Sequence, residues 1–349
     1  MSKTLFLSSL SMYNADLALA FERLDWKVWL LSEEDIYKWL VRGEKPDLVL
    51  NNILNPLIHD LCEKKQIPHV YWVLDSWTQS PNLMNEEQQA QAVSLGFPVV
   101  HTRVPLIPDG RYLYSFSVSQ ELLPMLKGQA QVYLPFHVNA SRFQPMGLPK
   151  KYDVGFIGTS LQGLDHIDGV TILERAGVGL DQIGLIEDIP TRVSWQMLVG
   201  MRESADARVK ACQAAKATVW GDGWDKVEGV TRMGRTDFKK TLPSTINECV
   251  VNLNSSRSIF PNDVCPRVLE VLACQGVLLT NNIPGIWSEF RQVSQMYTDA
   301  DDLKDRLDFL LDPVSQDERE RMGGMGRQLI LDGWTWEHAA KKILSVVYA

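Results

Sequence analysis

The feature that most narrows the possible folds is a two-part rhythm of short apolar runs separated by stretches of helical period. In the first third of the chain the runs are Leu5–Leu7, Val28–Leu31, Leu48–Asn51, Val70–Leu74, Val99–His101, Leu113–Phe116 and Val132–Leu134. Between several of them lie amphipathic segments. Ala15–Leu24 puts Leu17, Ala20, Phe21 and Leu24 on one face, and Pro56–Lys65 has similar character. Strands this short, linked by helices, predict a parallel sheet covered on both faces. Crossovers of that kind give a doubly wound α/β domain.

Near residue 135 the rhythm stops. From Leu134-Pro135-Phe136-His137 to Pro149-Lys150-Lys151 the chain is punctuated by proline and glycine and keeps no period, as a linker would. A second series opens at Tyr152-Asp153-Val154-Gly155-Phe156-Ile157 and continues with Thr218–Trp220, Cys249–Leu253, Val277–Thr280 and Gln295–Tyr297. Residues 192–217, Asp301–Leu311 and Trp336–Val347 have helical composition or stripes. The expected layout is a Rossmann-like domain over 1–135, a linker over 136–151, a second Rossmann-like domain over 152–331 and a terminal helix over 332–349. A chain of 349 residues suits two cores better than one.

Charge and cysteine usage remove several function classes. A net charge of −8 argues against non-specific nucleic-acid binding, which needs a concentrated basic surface. The five cysteines are odd in number and widely spaced, so neither a disulfide framework nor a zinc site is indicated. That usage, with no signal-peptide or membrane-spanning pattern near the N-terminus, points to a cytoplasmic protein. Asn139-Ala140-Ser141 and Asn254-Ser255-Ser256 match the glycan-acceptor pattern only by chance in such a compartment. Residues 1–30 contain no glycine, so the first strand–helix turn lacks the dinucleotide fingerprint and a dehydrogenase is disfavoured.

Several residues could carry chemistry. Glycine turns after parallel strands let a ligand approach the backbone at a helix N-terminus, where anions are favoured. Gly158-Thr159-Ser160 and Gly221-Asp222-Gly223 are two such turns. Pro266 opens a helix that would place Arg267 in its first turn and Glu270 one turn on. An arginine offers forked donors to a diphosphate, and a carboxylate can accept both hydroxyls of a ribose. Arg232, Arg235, Lys239 and Lys240 form a further basic cluster, which a solvated face explains equally well. Trp220 or Trp224 could stack on a base, although tryptophan more often packs. Asp299-Ala300-Asp301-Asp302 superficially resembles a metal-binding pattern, but it precedes an amphipathic helix and reads better as a cap.

The second half resembles the C-terminal domain of CgeB-like (spore maturation protein type) glycosyltransferases. The resemblance runs through Tyr152–Thr159, Val219-Trp220-Gly221-Asp222-Gly223-Trp224, Val251-Asn252-Leu253-Asn254, Arg267–Cys274, Gly276–Thr280 and the closing Trp334-Thr335-Trp336, roughly residues 150–340. The N-terminal half matches loosely, at Pro46–Leu50, Val70–Asp75 and Tyr133–Pro135. The resemblance implies the GT-B fold: two Rossmann-like domains facing a central cleft, with the last helix packing back on the first domain. It also implies transfer of a sugar from a nucleoside-diphosphate donor, such as a UDP-sugar, to a hydroxyl on a glycan, protein or small molecule. Gly158, Thr159, Gly221, Gly223, Trp224, Arg235, Arg267 and Glu270 would then hold the donor. No cofactor or metal is required, because helix dipoles and cationic side chains can offset leaving-group charge. An inverting enzyme needs a base on the acceptor side. Asp75, ending a strongly apolar strand, leads His101, His137 and Asp16 for that role.

Two departures from the family pattern stand out. Ala273-Cys274-Gln275-Gly276 is one residue longer than the usual helix end, and Asn262 occupies a position where related retaining enzymes often carry a glutamate. The rival readings are a sugar-nucleotide epimerase or phosphorylase on the same architecture and a non-catalytic nucleotide-binding or scaffold protein.

Overall fold

A computed structural model describes residues 2–52, 55–73, 109–118, 120, 123, 126–160, 185, 203–256, 264–281, 288 and 290–349. Two six-stranded sheets organise them. The first comprises β1 (Thr4–Ser8), β2 (Lys27–Leu31), β3 (Leu48–Asn51), β4 (His69–Val73), β5 (Leu113–Ser117) and β6 (Ala130–Tyr133), in the order β2-β1-β3-β4-β5-β6. The second comprises β7 (Tyr152–Ile157), β8 (Thr218–Trp220), β9 (Thr231–Arg232), β10 (Cys249–Asn254), β11 (Val277–Asn281) and β12 (Gln295–Tyr297), ordered β12-β11-β10-β7-β8-β9. All of these pairings are parallel. Strands β3 and β4 are buried along their whole length, which is why they read as continuous apolar runs without alternation.

Helices α1 (Asn14–Glu22), α2 (Glu33–Val41) and α3 (Pro56–Lys65) accompany the first sheet. With the second lie α4 (203–214), α5 (Leu242–Asn247), α6 (Pro266–Ala273), α7 (Ala300–Leu311) and α8 (Gln316–Gly333); α9 (Trp336–Val347) ends the chain. Helices α2, α5 and α8 and strand β9 escaped the sequence reading. Helix α2 buries only Ile36 and Leu40, a stripe too short to stand out beside Glu33-Glu34-Asp35. Its start is nevertheless well specified: Ser32 Oγ accepts from Asp35 N at 3.1 Å, and the three acids favour the positive helix end. Strand β9 is a two-residue exposed edge with no apolar signal. The Val99–His101 strand lies outside the described residues.

Each sheet reverses its winding once. After β1 the chain builds β2 on one side and returns to place β3 on the other; after β7 it builds β8 and β9, then returns with β10. The crevices outside the carboxyl ends of β1/β3 and of β7/β10 are therefore the topological switch points, where open α/β sheets take ligands.

The last helix belongs to the first core. Trp336, Ala340, Ile343 and Val347 pack with Leu17 and Phe21 of α1, and Trp336 meets Trp72 of β4 edge-on at 5.7 Å. Lys3 Nζ sits 4.2 Å from the Tyr348 ring centroid, and Tyr348 Oη donates to Asp47 O at 2.7 Å. The chain thus crosses between the sheets twice, side by side, with Val138 and Thr335 forming a parallel bridge at the crossing.

The extra residue at the end of α6 has a backbone role. Gln275 adopts a left-handed φ of 58° and Gly276 N bonds back to Val271 O at 2.9 Å, closing the helix. Helix α8 lies so close at this point that a Cβ on Gly326 would come within 2.7 Å of Leu272 Cδ2.

Candidate active site

The glycine turns of the second sheet meet. Gly158 N donates to Trp220 O at 2.8 Å, Ser160 N to Asp222 O at 2.9 Å and Ser160 Oγ to Gly223 O at 2.6 Å. Gly221 has φ +139°, and a Cβ there would lie 2.6 Å from the Gly158 carbonyl carbon. The turn after β7 and the turn after β8 are therefore stitched into one surface that holds Gly158, Thr159, Gly221 and Gly223. Gly158 and Gly221 spend their N–H groups inside the fold, the latter on Gly234 O at 2.8 Å. What they contribute is close backbone approach, not anion donors.

At the β7/β10 switch point sits a residue that no motif announced. Arg208, on α4, is buried; its Nη1 donates to Thr159 O at 2.7 Å and its Nη2 to Ser255 O at 3.0 Å. The guanidinium lies 5.5 Å from the Phe156 ring centroid. It ties the two strand ends together and makes the crevice floor cationic. Beside it, Asn254 Nδ2 donates to Ser256 Oγ and to Thr280 Oγ1, both at 2.9 Å. An arginine in an ordinary helical stretch gave no sequence signal; only the strand order brings it to the crevice.

Helix α6 follows β10, so its N-terminus lies at the same carboxyl edge. Glu270 is only 3 % exposed and pairs with Arg267 one turn earlier. Burial pushes the Glu270 carboxyl above its ordinary range, against the lowering influence of Arg267 and then Arg142. Arg142 itself is clamped by Asp16: Nη1 donates to Oδ2 at 2.9 Å and Nη2 to Oδ1 at 2.6 Å, while Asn139 Nδ2 adds a bond of 2.9 Å to Oδ1. Asp16 comes from α1 and Glu270 from α6, so the halves of the molecule meet in a buried group of alternating charge. Phe238 caps it, 5.4 Å from the Arg142 guanidinium and 5.9 Å from the Tyr13 ring.

Other expected residues serve the scaffold. Trp224 is 2 % exposed; it packs edge-on against Phe156 at 5.5 Å and its Nε1 donates to Gly158 O at 2.9 Å. Trp220 is buried against Tyr152. Both rings are committed to the core and offer no face to a base, which corrects the stacking expectation. Arg235 is exposed and pairs with Asp222, and Arg232 bonds to Asp225, so this cluster is a solvated surface. Asp16 is ion-paired as described and is no free base. His137 is buried between Trp334 and Trp336, with Nδ1 bonded to Pro135 O at 2.8 Å. Burial lowers its pKa to about 4, so a cleft-facing base at this position is ruled out by packing. Asp75 and His101 lie outside the described residues. Asp299 caps α7, accepting from Asp301 N and Asp302 N at 2.9 and 3.0 Å. Among the described residues no group of three or more His, Cys, Asp or Glu side chains is disposed to hold a metal, and no helix is long and apolar enough to cross a membrane.

The buried histidines carry a stability prediction. His69, fully buried on β4, has its pKa lowered by burial to about 3 from an ordinary 6.5, and His137 to about 4. Depressed folded values mean that the unfolded chain binds more protons below pH 6.5. Their contribution is complete above that pH and lost on acidification, at about 1.4 kcal/mol per pH unit for each ring. Urea unfolding at pH 7.5 and pH 5 should show this loss, and His137→Gln should shrink it by about half. Equal stability at the two pH values would refute it.

Comparisons with known proteins agree with this fold. Residues 201–345 match the family model described as glycosyl transferase-like. Over 99 % of this chain and 98 % of its own, a glycosyltransferase from Rickettsia africae superposes with a TM-score of 0.54 at 10 % identity. AviGT4, a glycosyltransferase of avilamycin A biosynthesis, covers 99 % of this chain and 97 % of its own, with a TM-score of 0.54 at 12 % identity. HepE from Anabaena, solved in complex with UDP, covers 99 % of both chains at a TM-score of 0.52 and 10 % identity. No curated protein matches the chain in sequence. The fold is that of the GT-B neighbours, with two Rossmann-like parallel sheets.

Proposed function

We propose that the protein transfers a sugar from a nucleoside-diphosphate donor to a hydroxyl acceptor, with the donor seated at the β7/β10 switch point. The observation that carries this reading is the assembly of a cationic crevice floor, Arg208 between Thr159 and Ser255, on the same sheet edge as the buried Arg267–Glu270 pair. A diphosphate needs fixed positive charge with close backbone approach, and a ribose needs a buried acceptor for two hydroxyls. Arg208 and the Gly158 and Gly221 turns supply the first; Glu270, oriented by Arg267, supplies the second. The UDP bound in the HepE neighbour makes UDP-sugars the first donors to test. The finer CgeB-like assignment rests on the motifs of the second half. Asp75, two residues beyond the end of β4, is the proposed base on the acceptor side.

A thermal-shift screen against UDP-, GDP-, TDP- and CMP-sugars tests the donor site. One class should stabilise the protein by about 2.7 kcal/mol at a hundredfold excess over Kd. No shift with any of the four, and no nucleotide released on incubation with acceptor mixtures, would rule the reading out.

A further inference from the structure

The halves of the molecule meet at Arg142, and the linker around it is pinned from both sides. On one side Asp16 of α1 holds the guanidinium through both carboxylate oxygens and also accepts from Asn139 Nδ2. On the other, Arg327 of α8 donates to Phe143 O at 3.1 Å and to Ala273 O at the end of α6. Asn247 joins from the second half, accepting from Met146 N at 2.9 Å and donating to Gln144 O at 3.1 Å. The backbone beside Arg142 is thus tied to the helix that carries Glu270, while its side chain is tied to the opposite half.

Glu270 needs such a neighbour. Desolvation holds a carboxyl this deeply buried in its neutral form unless cations stand beside it. Arg267, one turn back on the same helix, is the first cation, and Arg142 is the second. Asp16 acts the other way, raising the Glu270 carboxyl and neutralising part of the Arg142 charge. A further titratable neighbour, the Cys274 thiol at the end of α6, is pushed up by burial to about 12 and stays neutral, with Arg327 acting on it in turn. Only the ionised carboxyl offers both oxygens purely as acceptors; the protonated form turns one of them into a donor. The charge of Glu270 is therefore contested between a cation of the linker and an anion of the other half.

We propose that Arg142, held by Asp16 of the first half, is a positioning residue for the nucleotide site: it supplies the second cation that keeps Glu270 an acceptor for ribose hydroxyls. The link to nucleotide binding rests on the donor-site reading; the charge coupling rests on the buried group alone. Arg142 acts through Glu270, so a carboxylate on α1 sets affinity in the opposite half.

Two variants with opposite expected effects test this in the full chain. Glutamate is isotopically labelled at its side-chain carboxyl carbon, and the Glu270 signal is identified by its loss in Glu270→Gln. NMR then follows that signal between about pH 5 and pH 8. Asp16→Asn keeps the shape but leaves Arg142 without its ion-pair partner, so the Glu270 midpoint should fall by about one pH unit. Asp16→Asn with Arg142→Gln removes both charges and leaves neither as an unpaired buried ion, so this double variant should fold. Arg142 acts on Glu270 more strongly than Asp16 does, so here the midpoint should rise. UDP affinity should follow the ionised fraction. Below the wild-type midpoint it should be about tenfold stronger in Asp16→Asn, and it should be weaker in the double variant. Above all the midpoints the three proteins should bind UDP alike. A pair that only braced the junction would move both variants in the same direction. Midpoints that stay put or move together would overturn the proposal, as would UDP affinities that do not follow the midpoints. If the midpoints moved as expected but wild type bound no UDP, the charge coupling would stand and the donor reading would fall.

Discussion

Glu270→Gln is expected to weaken nucleotide-sugar binding by about a hundredfold or more while the protein stays folded. A carboxylate accepting two ribose hydroxyls makes two charge-assisted bonds, each worth about 1.5–3 kcal/mol. Glutamine keeps the shape and one acceptor oxygen but presents an NH₂ where the second hydroxyl would donate. The buried setting decides the choice of variant. Arg267 pairs with Glu270, and its Nε is buried without a partner among the described residues. Glu270→Ala would strand that guanidinium, at a cost of about 3–5 kcal/mol in folding stability. A lost signal in the alanine variant would therefore mix unfolding with lost contact. The measurement is the Kd for UDP by calorimetry, with a thermal melt of each variant beside it. A glutamine variant binding within about threefold of wild type would remove Glu270 from the site.

Gly221→Ala should be the most damaging small substitution at the turns after β7 and β8. Two effects coincide there. The backbone has φ +139°, which side chains rarely adopt, and the added Cβ would lie 2.6 Å from Gly158 C and 3.1 Å from Thr159 N. Both neighbours are backbone atoms of one peptide, flanked by the Gly158 and Thr159 carbonyls that Trp224 and Arg208 hold, so neither can rotate away. Strain of this kind costs about 1–3 kcal/mol before any steric term, and the clash should carry the total to roughly 4 kcal/mol. Gly43 separates the two effects, having φ +106° with nothing within 4 Å of a built Cβ. Gly43→Ala should lose only the conformational part, about 1–2 kcal/mol. Equal urea midpoints for the two variants would show that the turns after β7 and β8 do not press on one another.

Much of the architecture was legible in the residues. The runs Leu48–Asn51 and Thr218–Trp220 and the segment Pro56–Lys65 coincide with β3, β8 and α3. Fully buried parallel strands leave an uninterrupted apolar trace, and Asn55 with Pro56 marks a helix start that local chemistry enforces. Misreadings fell where packing, not local pattern, sets a residue's role. Trp224 and His137 look like ligand groups beside glycine and proline, yet neighbouring aromatic rings enclose both. Arg208 looks like one helical arginine among several, yet it bridges two strand ends.

By itself the sequence determined the element types, the parallel pairing that helical crossovers require, and the terminal helix whose apolar stripe had to be buried somewhere. These follow from periodicity and capping, which act over a few residues. Only the tertiary structure decided which strand ends adjoin, and therefore that Arg208 lies across β7 and β10, that Asp16 meets Arg142, and that Asn14 bonds to Ser8 O and to Asn52 between β1 and β3. Strand order is set by long-range burial of whole sheet faces. Residues far apart in the chain become neighbours through that burial, and no short stretch of sequence encodes it.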